Sequence, residues 1–267
     1  NDGGFMVTWQ SEGQDGSSYG IYGQRFDSAG VAVGAEFQVN STTDNQQVYP
    51  STTALNDGGF VVTWDSIQDG SRGIYGQRYD SAGAAVGGEF QVNTFASIQQ
   101  LMPNTTALAD GGFVVTWESY GQDGSGYGIY GQRFDSEGVA VGGEFQVNTF
   151  GGISYYSNNH QSDSSIAALN DGGFVVTWMS DGQDGSSWGI YGQRFDSAGA
   201  TVGGEFQVNS YTSNDQIQPS TTALSDGGFV VTWSSDGQDG SSYGIYGQRF
   251  DSDGQKVMAE PAVIGVH

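Results

Sequence analysis

The sequence predicts an all-β protein, a β-propeller built from five four-stranded blades. The first observation is a nine-residue motif: "GIYGQRFDS" at 20–28 returns as "GIYGQRYDS" at 73–81, and unchanged at 128–136, 189–197 and 244–252. The second is a tryptophan that recurs once per unit, at Trp9, Trp64, Trp117, Trp178 and Trp233. The third is that each unit alternates strand-like runs with tight-turn signals, which is typical of propeller blades.

Each unit contains four predicted strands. In the second copy the short run "STTAL" (51–55) is followed by "NDGG", an Asp-Gly hairpin turn. "FVVTW" (60–64) is apolar on both faces, so we expect both faces to be covered. "GIYGQRYDS" forms the third strand, and an "AG" turn leads to "VGGEFQVN" (86–93). There Phe90 and Val92 alternate with Glu89 and Gln91.

The repeats divide one predicted propeller domain, 1–267, into units at 1–55, 56–108, 109–169, 170–224 and 225–267. A β-solenoid is the alternative fold, but its shorter rungs do not need two tight turns per repeat. "STTAL"-type strands number only four, so the first blade lacks its opening strand. Upstream sequence, the tail "PAVIGVH", or a larger array could supply it.

Composition excludes several classes of function. Seven Lys and Arg against 30 Asp and Glu give a formal charge of -23, which repels nucleic acid and anionic membranes. No run approaches the roughly 20 apolar residues of a membrane span, so no membrane insertion is expected. There is no Cys, and hence no disulfide or thiolate site. The abrupt start at "NDGGF" suggests a fragment of a longer protein.

The arginine of the repeated motif is predicted to be structural. Each one precedes a glutamate by eleven residues, as Arg25 precedes Glu36 and Arg249 precedes Glu260, and an aspartate follows two residues after it, such as Asp27. Either acid could pair with it. The alternative, an arginine that grips a ligand anion, is less consistent with five equal copies. The repeated tryptophan is likewise predicted to pack between blades.

Candidate ligand-binding residues lie in the loops, where the units differ. The loop before the motif ends in an aromatic residue in four units and in Arg72 in the second, and each loop holds a "QDG" aspartate. An aromatic ring can stack on a sugar while a carboxylate accepts from its hydroxyls. The candidates are Tyr19, Asp15, Asp69, Arg72, Tyr127, Asp123, Trp188, Asp184, Tyr243 and Asp239. The alternative is a glycine-rich turn whose aromatic covers the blade edge.

No cofactor is expected, with Ca²⁺ as the one exception that these loop oxygens would suit. "GQDGS" offers few carboxylates and matches neither an EF-hand nor a glycine-aspartate nonapeptide. The third linker, 149–166, is longer than its counterparts and holds Tyr155, Tyr156 and His160. It is either a recognition loop or a tolerated insertion.

Enzyme chemistry has little support at this level. Of the two histidines, His160 and His267, the second ends the sequence, and no Ser/His/Asp spacing is present. A glycosidase needs a carboxylate pair in one asymmetric site, whereas the repeated acids recur identically. We therefore expect a protein that is not an enzyme.

The motifs "DGGFVVTW", "GQDGSGYGIYGQRFD", "GVAVGGEFQVNT" and "TTAL" resemble a repeat of very large secreted bacterial proteins that leave by type I secretion and carry haemolysin-type repeats. The resemblance covers nearly the whole chain and implies a secreted or cell-surface bacterial location with an adhesive or matrix role. The glycine-aspartate calcium-binding nonapeptides of that class are absent, so calcium dependence is not carried over from the resemblance. The architecture is also similar to five-bladed propeller lectins.

These observations predict a non-enzymatic extracellular binding or adhesion module whose partners are glycans or cell-surface and matrix polymers. Two alternatives remain at this stage. One is a multivalent lectin that uses the loop aromatics. The other is a structural spacer or filament subunit.

Overall fold

The computed structural model describes residues 3–68, 70–96, 98–151 and 159–257, and they form an all-β fold of 18 strands in five antiparallel sheets. The sheets are blades 1 to 5, comprising β1–β3, β4–β7, β8–β11, β12–β15 and β16–β18. The strands are β1 (Phe5–Glu12), β2 (Tyr19–Phe26), β3 (Ala32–Gln38), β4 (Gln47–Ala54), β5 (Phe60–Gln68), β6 (Ser71–Tyr79), β7 (Ala85–Gln91), β8 (Gln100–Ala107), β9 (Phe113–Tyr120), β10 (Tyr127–Phe134), β11 (Ala140–Gln146), β12 (Gln161–Ala168), β13 (Phe174–Asp181), β14 (Trp188–Phe195), β15 (Thr201–Gln207), β16 (Gln216–Ala223), β17 (Phe229–Asp236) and β18 (Tyr243–Phe250).

The five-bladed β-propeller predicted from the repeats is confirmed. Each complete blade begins with the short strand that ends one sequence repeat and continues into the next repeat. Three sheets have four strands. Within residues 3–257, blade 1 starts directly at β1, and blade 5 has only a bridge between Phe250 and Lys256 where the other blades place their outer strand. The tail "PAVIGVH" and Glu260 lie outside the described residues.

The hydrophobic core lies between successive blades. The motif tryptophans Trp64, Trp117 and Trp178 are fully buried, so their predicted packing role is confirmed. In the interface between blades 2 and 3, Val61 and Ile74 of one sheet pack against Trp117 of the next. Burying an aromatic side chain of this size is worth about 3–5 kcal/mol on truncation to Ala. This explains why "FVVTW" is apolar on both faces.

The innermost strands β4, β8, β12 and β16 contact one another in series and surround the propeller axis. Each has a bulge at the same place, where the pairing register with the second strand shifts. A non-glycine residue at each bulge adopts a positive φ: Tyr49 (55°), Met102 (54°), Asp163 (51°) and Gln218 (57°). Such bulges re-aim backbone groups and recur beside active sites.

The arginine of the repeated motif is structural, but its predicted partners are wrong. Arg133 pairs with Asp110 of the "DGG" turn at 3.1 Å, and Arg194 pairs with Asp171 in the same way. The hairpin brings the "DGG" turn beside the arginine, and the predicted glutamate faces elsewhere. Glu144, for example, accepts from the amide of Thr94 at 2.8 Å in the preceding linker.

Candidate functional site

The candidate site is built from the position that follows the motif tryptophan on the second strand of each blade. This position holds Gln10, Asp65, Glu118, Met179 and Ser234, so the repeat varies here although its neighbours do not. Three of these side chains accept a hydrogen bond from the bulge amide of the next innermost strand. Gln10 accepts from Tyr49 at 3.0 Å. The arrangement therefore aims these side chains toward the axis.

Asp65 lies in a fully buried position and is held by two neighbours. Its Oδ1 accepts from Nε of Arg72 at 2.8 Å, and the same oxygen lies 2.7 Å from the other guanidinium nitrogen, Nη2. Its Oδ2 accepts from the amide of Met102 at 3.4 Å. Burial raises the pKa of Asp65 to about 6, against the opposing effect of Arg72.

Glu118 occupies the same position in blade 3 and has no cationic partner among the described residues. Its Oε1 accepts from the backbone amide of Asp163 at 2.8 Å. The pKa of Glu118 is raised to about 7, mainly by burial. The hydrogen bond from the Asp163 amide opposes this shift, and the charges of Asp163 and Asp65 add to it. Glu118 therefore holds its proton at a pH where an ordinary glutamate has lost it.

Asp163 is the third carboxylate and the one that lines open space. It sits at the bulge of β12, where the equivalent residues of the other innermost strands are Tyr49, Met102 and Gln218. Its side chain borders an open depression of about 290 Å³, and Met102 and Gln218 also line it. Burial raises the pKa of Asp163. Asp65 and Asp163 thus both lie near enough to Glu118 for their charges to act on its pKa, in the region where blades 2, 3 and 4 approach the axis.

Two of the predicted loop residues lie beside these carboxylates. Arg72 reaches Asp65 directly. Tyr127 is close enough to Glu118 and Arg72 for both charges to act on its pKa, which is raised mainly by burial. The hydroxyl of Tyr127 donates to Gln99 at 3.0 Å, and its ring contacts Tyr120 with centroids 4.9 Å apart. Tyr120 and Tyr127 therefore form an aromatic wall beside Glu118.

The described "QDG" aspartates make turns. Asp15, Asp123, Asp184 and Asp239 each accept through Oδ1 from the backbone amide two residues later, at 2.9–3.0 Å. This is the Asx-turn geometry that fixes a glycine-rich loop. Asp69 lies outside the described residues.

The remaining loop aromatics occupy the equivalent position in the other blades. Tyr19 donates to Glu12 at 3.4 Å and Tyr243 donates to Asp215 at 3.4 Å, while Trp188 opens β14. None of the three is placed at the carboxylates by a described contact. Ligand binding at all of these loop positions stays a prediction.

The long third linker is described only in part, because Tyr155 and Tyr156 lie outside the described residues. His160 at its end accepts the amide hydrogen of Tyr127 on Nδ1 at 3.0 Å, with ring centroids 5.4 Å apart. It therefore helps to position the aromatic wall. In the described ranges no group of three His, Asp or Glu side chains is placed to hold a metal ion, and Ca²⁺ stays a prediction.

Solved structures share the fold at low sequence identity. A protein of unknown function from Dyadobacter fermentans matches with a TM-score of 0.63 and 9% identity, covering 95% of this chain and 77% of its own. An endo-arabinase from Bacteroides thetaiotaomicron matches at 0.54 and 14%, covering 96% and 90%. An α-L-arabinanase from Penicillium chrysogenum, complexed with arabinobiose, matches at 0.52 and 15%, covering 76% and 62%. No protein-family model and no curated protein matches the chain.

These findings correct the resemblance stated above. No sequence comparison supports a repeat of type I secreted, haemolysin-type proteins. The solved structures that match share the fold, and two of them carry enzyme names, an endo-arabinase and an α-L-arabinanase. The repeated motifs that suggested the resemblance encode the blade scaffold, and such scaffolds host unrelated functions.

The prediction of a non-enzymatic binding or adhesion module is wrong, together with its lectin and spacer alternatives. Its premise was that the repeated acids recur identically, yet the position after the motif tryptophan is acidic in two units only, at Asp65 and Glu118, and Asp163 is the one acid among the four bulge residues. The neighbours with named activities are an arabinase and an arabinanase, which are enzymes and not adhesive modules. No described residue belongs to a helix able to cross a membrane.

Sequence reasoning missed these three carboxylates although a signal was present. The residue after "VVTW" changes from unit to unit while the five residues before it barely change. Asp163 could be recognised by comparing the four innermost strands, three of which have Pro immediately after the bulge residue.

Proposed function

We propose that this protein is a glycoside hydrolase whose active site is the axial cluster of Asp65, Glu118 and Asp163. The observation that supports it is the gathering of three unrepeated carboxylates with different surroundings at one place on a fivefold scaffold. Glycoside hydrolysis uses two carboxyl groups, one protonated and one ionised, on either side of the scissile bond. Environments that push carboxyl pKa values apart assign those two roles.

Glu118 is the proton donor in this proposal. Its pKa of about 7 keeps it protonated in mildly acidic solution, so it can protonate the glycosidic oxygen as the bond to the anomeric carbon breaks. The departing alcohol carries that proton, and Glu118 is left as a carboxylate. Asp65 acts through Glu118: its negative charge disfavours a second charge there and keeps the proton in place.

Asp163 is the second carboxylate. It borders the open depression and is held at its position by the strained bulge, so it faces solvent space that a sugar ring could enter. As a carboxylate it stabilises the positive charge that develops on the sugar, and it either takes a proton from the attacking water or bonds to the anomeric carbon. Water supplies the new hydroxyl in both cases.

Tyr127 and Tyr120 are the sugar-binding side of the site in this proposal. Their rings pack edge-on beside Glu118, and an aromatic face can stack on the apolar face of a glycan unit. The named activities of the neighbours make arabinose-containing polysaccharides the first substrates to try. A polysaccharide substrate also favours an extracellular setting for a single 1–267 propeller domain.

The test is release of reducing ends from linear arabinan, arabinoxylan and xylan by the purified protein. We expect turnover of at least one arabinose-containing glycan and its loss in Glu118→Gln. The matched control is Glu137→Gln, a change in the same blade at an exposed acid that bonds only to its own turn. Equal turnover in wild type and Glu118→Gln would remove Glu118 from the mechanism.

A further inference from the structure

Each of the four interfaces between consecutive blades has a hydroxyl contact, in three of them at the same strand position and between blades 3 and 4 two residues earlier, at Ser164. These interfaces are the reference for the two ends of the array. In each case a threonine of the second strand bonds to a hydroxyl on the innermost strand of the next blade. The pairs are Thr8–Thr52, Thr63–Thr105, Thr116–Ser164 and Thr177–Thr221, with oxygen separations of 2.6–3.2 Å. The innermost strand thus belongs to one blade and ties it to the one before.

In the described part of the chain, nothing covers the same face of blade 5. Thr232 occupies the threonine position, is exposed, and has no hydroxyl partner among the described residues. Ile245 is 77% exposed, whereas its four equivalents, Ile21, Ile74, Ile129 and Ile190, are fully buried. Arg249 is half exposed, and its equivalents in blades 2 to 4 are about 9% exposed.

Blade 1 presents the complementary face. Phe5 is 52% exposed and Val7 is 43% exposed, although the corresponding residues of the other blades are buried. The turn at Gly30 has open space around it, whereas the matching turn at Gly199 is in contact with Arg133 of the preceding blade. Among the described residues, the axis-facing edge of β1, opposite β2, has no partner strand.

One innermost strand would account for both ends. In blade 5, β16 pairs with β17 and also contacts β12, β13 and β14 of blade 4. A strand in the same position on blade 1 would pair with β1. It would also lie against the matching strands of blade 5, where Thr232 lacks its partner. Closing this gap would bring Ile245 onto the exposed face of Phe5 and Val7.

We propose that the free edge of β1 and the uncovered face of blade 5 form an acceptor site for one extended strand with the pattern of the repeat's own innermost strand, Gln-x-x-Pro-Ser-Thr-Thr-Ala-Leu. This is strand addition to an open sheet edge, in which backbone hydrogen bonds give affinity and alternate side chains give specificity. The glutamine is part of that specificity, because Gln47, Gln100, Gln161 and Gln216 are all fully buried. The strand-accepting surface is separate from the axial carboxylates.

The test uses a synthetic peptide with the sequence of residues 216–224, "QIQPSTTAL", added to the whole protein. The chain has no cysteine, so Ile245→Cys gives a single reporter thiol, and Val139→Cys is the control at a 61% exposed position on the outer part of blade 3. We expect saturable one-to-one binding that slows alkylation of the Ile245→Cys thiol at least tenfold and leaves the Val139→Cys thiol unchanged. A peptide of the same composition in scrambled order should do neither.

A second peptide tests the register. Thr221 in β16 is the residue whose hydroxyl bonds to Thr177, so the peptide with valine at that place loses the predicted bond to Thr232. We expect it to bind about two- to tenfold more weakly, the effect of one hydrogen bond.

Three results would overturn the proposal. One is the absence of peptide binding to the folded protein, and another is binding that leaves the Ile245→Cys thiol fully reactive. The third is protection of that thiol that rises with protein concentration in the absence of peptide, because the occupant would then be a second copy of this chain. None of these results bears on glycan hydrolysis, which the carboxylate variants test separately.

Discussion

The backbone amide of Asp163 donates a 2.8 Å hydrogen bond to the side chain of Glu118, so a strained bulge in blade 4 holds a buried acid of blade 3. This contact joins the two residues to which the proposed chemistry assigns opposite protonation states. A φ of 51° at a non-glycine residue costs about 1–2 kcal/mol. The surrounding sheet must supply that energy, and strain of this kind is concentrated at functional sites.

The raised pKa of Glu118 predicts a pH-dependent stability. The folded state binds the proton more tightly than the unfolded state, whose glutamate titrates near its ordinary value, so the free energy of unfolding falls as pH rises from about 4.5 to about 7. Asp65 contributes in the same direction up to about pH 6. Chemical denaturation across pH 4–8 should show this decline. Glu118→Gln should flatten it between pH 6 and 7, and an unchanged slope would contradict the assignment.

Removing Arg72 is expected to destabilise the protein strongly, because Asp65 is fully buried and would lose its only cationic partner among the described residues. We expect Arg72→Ala to lower the free energy of unfolding by about 3–5 kcal/mol at pH 8. The loss should shrink below pH 6, where Asp65 can take up a proton. Adding Asp65→Asn should recover much of it. Arg249→Ala, which breaks the solvent-exposed pair with Asp226, should change the free energy of unfolding far less than Arg72→Ala does.

The hydroxyl bonds between consecutive blades, such as Thr63–Thr105, give a stability test with an internal control. Thr63→Val removes the 2.6 Å bond to Thr105 and leaves that hydroxyl buried and unpaired. We expect a loss of about 1–3 kcal/mol in the free energy of unfolding. Thr232→Val makes the same chemical change at the exposed end of the array and should stay within about 0.5 kcal/mol. If Thr63→Val and Thr232→Val lowered the free energy of unfolding equally, the hydroxyl bonds would not hold the blades together.

Tyr127 is expected to act in substrate binding. Replacing it with Ala removes the ring beside Glu118 and should raise KM for a glycan by about 10-fold, the value of one stacked ring. The free energy of unfolding of Tyr127→Ala should change by less than the binding free energy that corresponds to this rise in KM. Tyr243→Ala, the same change at the matching position of blade 5, should leave KM unaltered. Equal effects on KM from the two variants would contradict the placement of the sugar beside blade 3.

Repetition explains both what the sequence predicts well and what it conceals. The turns, the tryptophan positions and the doubly apolar "FVVTW" strand identify a propeller blade, because these features follow from local backbone chemistry. Asp65 and Glu118 look like ordinary variation in a polar position. Their meaning depends on bulges in neighbouring blades, which lie 37 and 45 residues further along the chain. Arg133 and Arg194 pair with aspartates of the "DGG" turn that precedes the neighbouring strand. Several acids lie near each arginine in the sequence, and tertiary geometry decides which one pairs with it.

The most direct test of the central claim is glycan hydrolysis by wild type and Glu118→Gln, followed across pH 4–8. We predict release of sugar from an arabinose-containing polysaccharide. The acid limb of the pH profile should reflect the second carboxylate, and activity should fall as pH rises past about 7, where Glu118 loses its proton. Glu118→Gln should retain the fold and lose at least 100-fold in kcat. Folded wild-type protein that releases no sugar from any of the arabinan, arabinoxylan and xylan substrates would contradict the account.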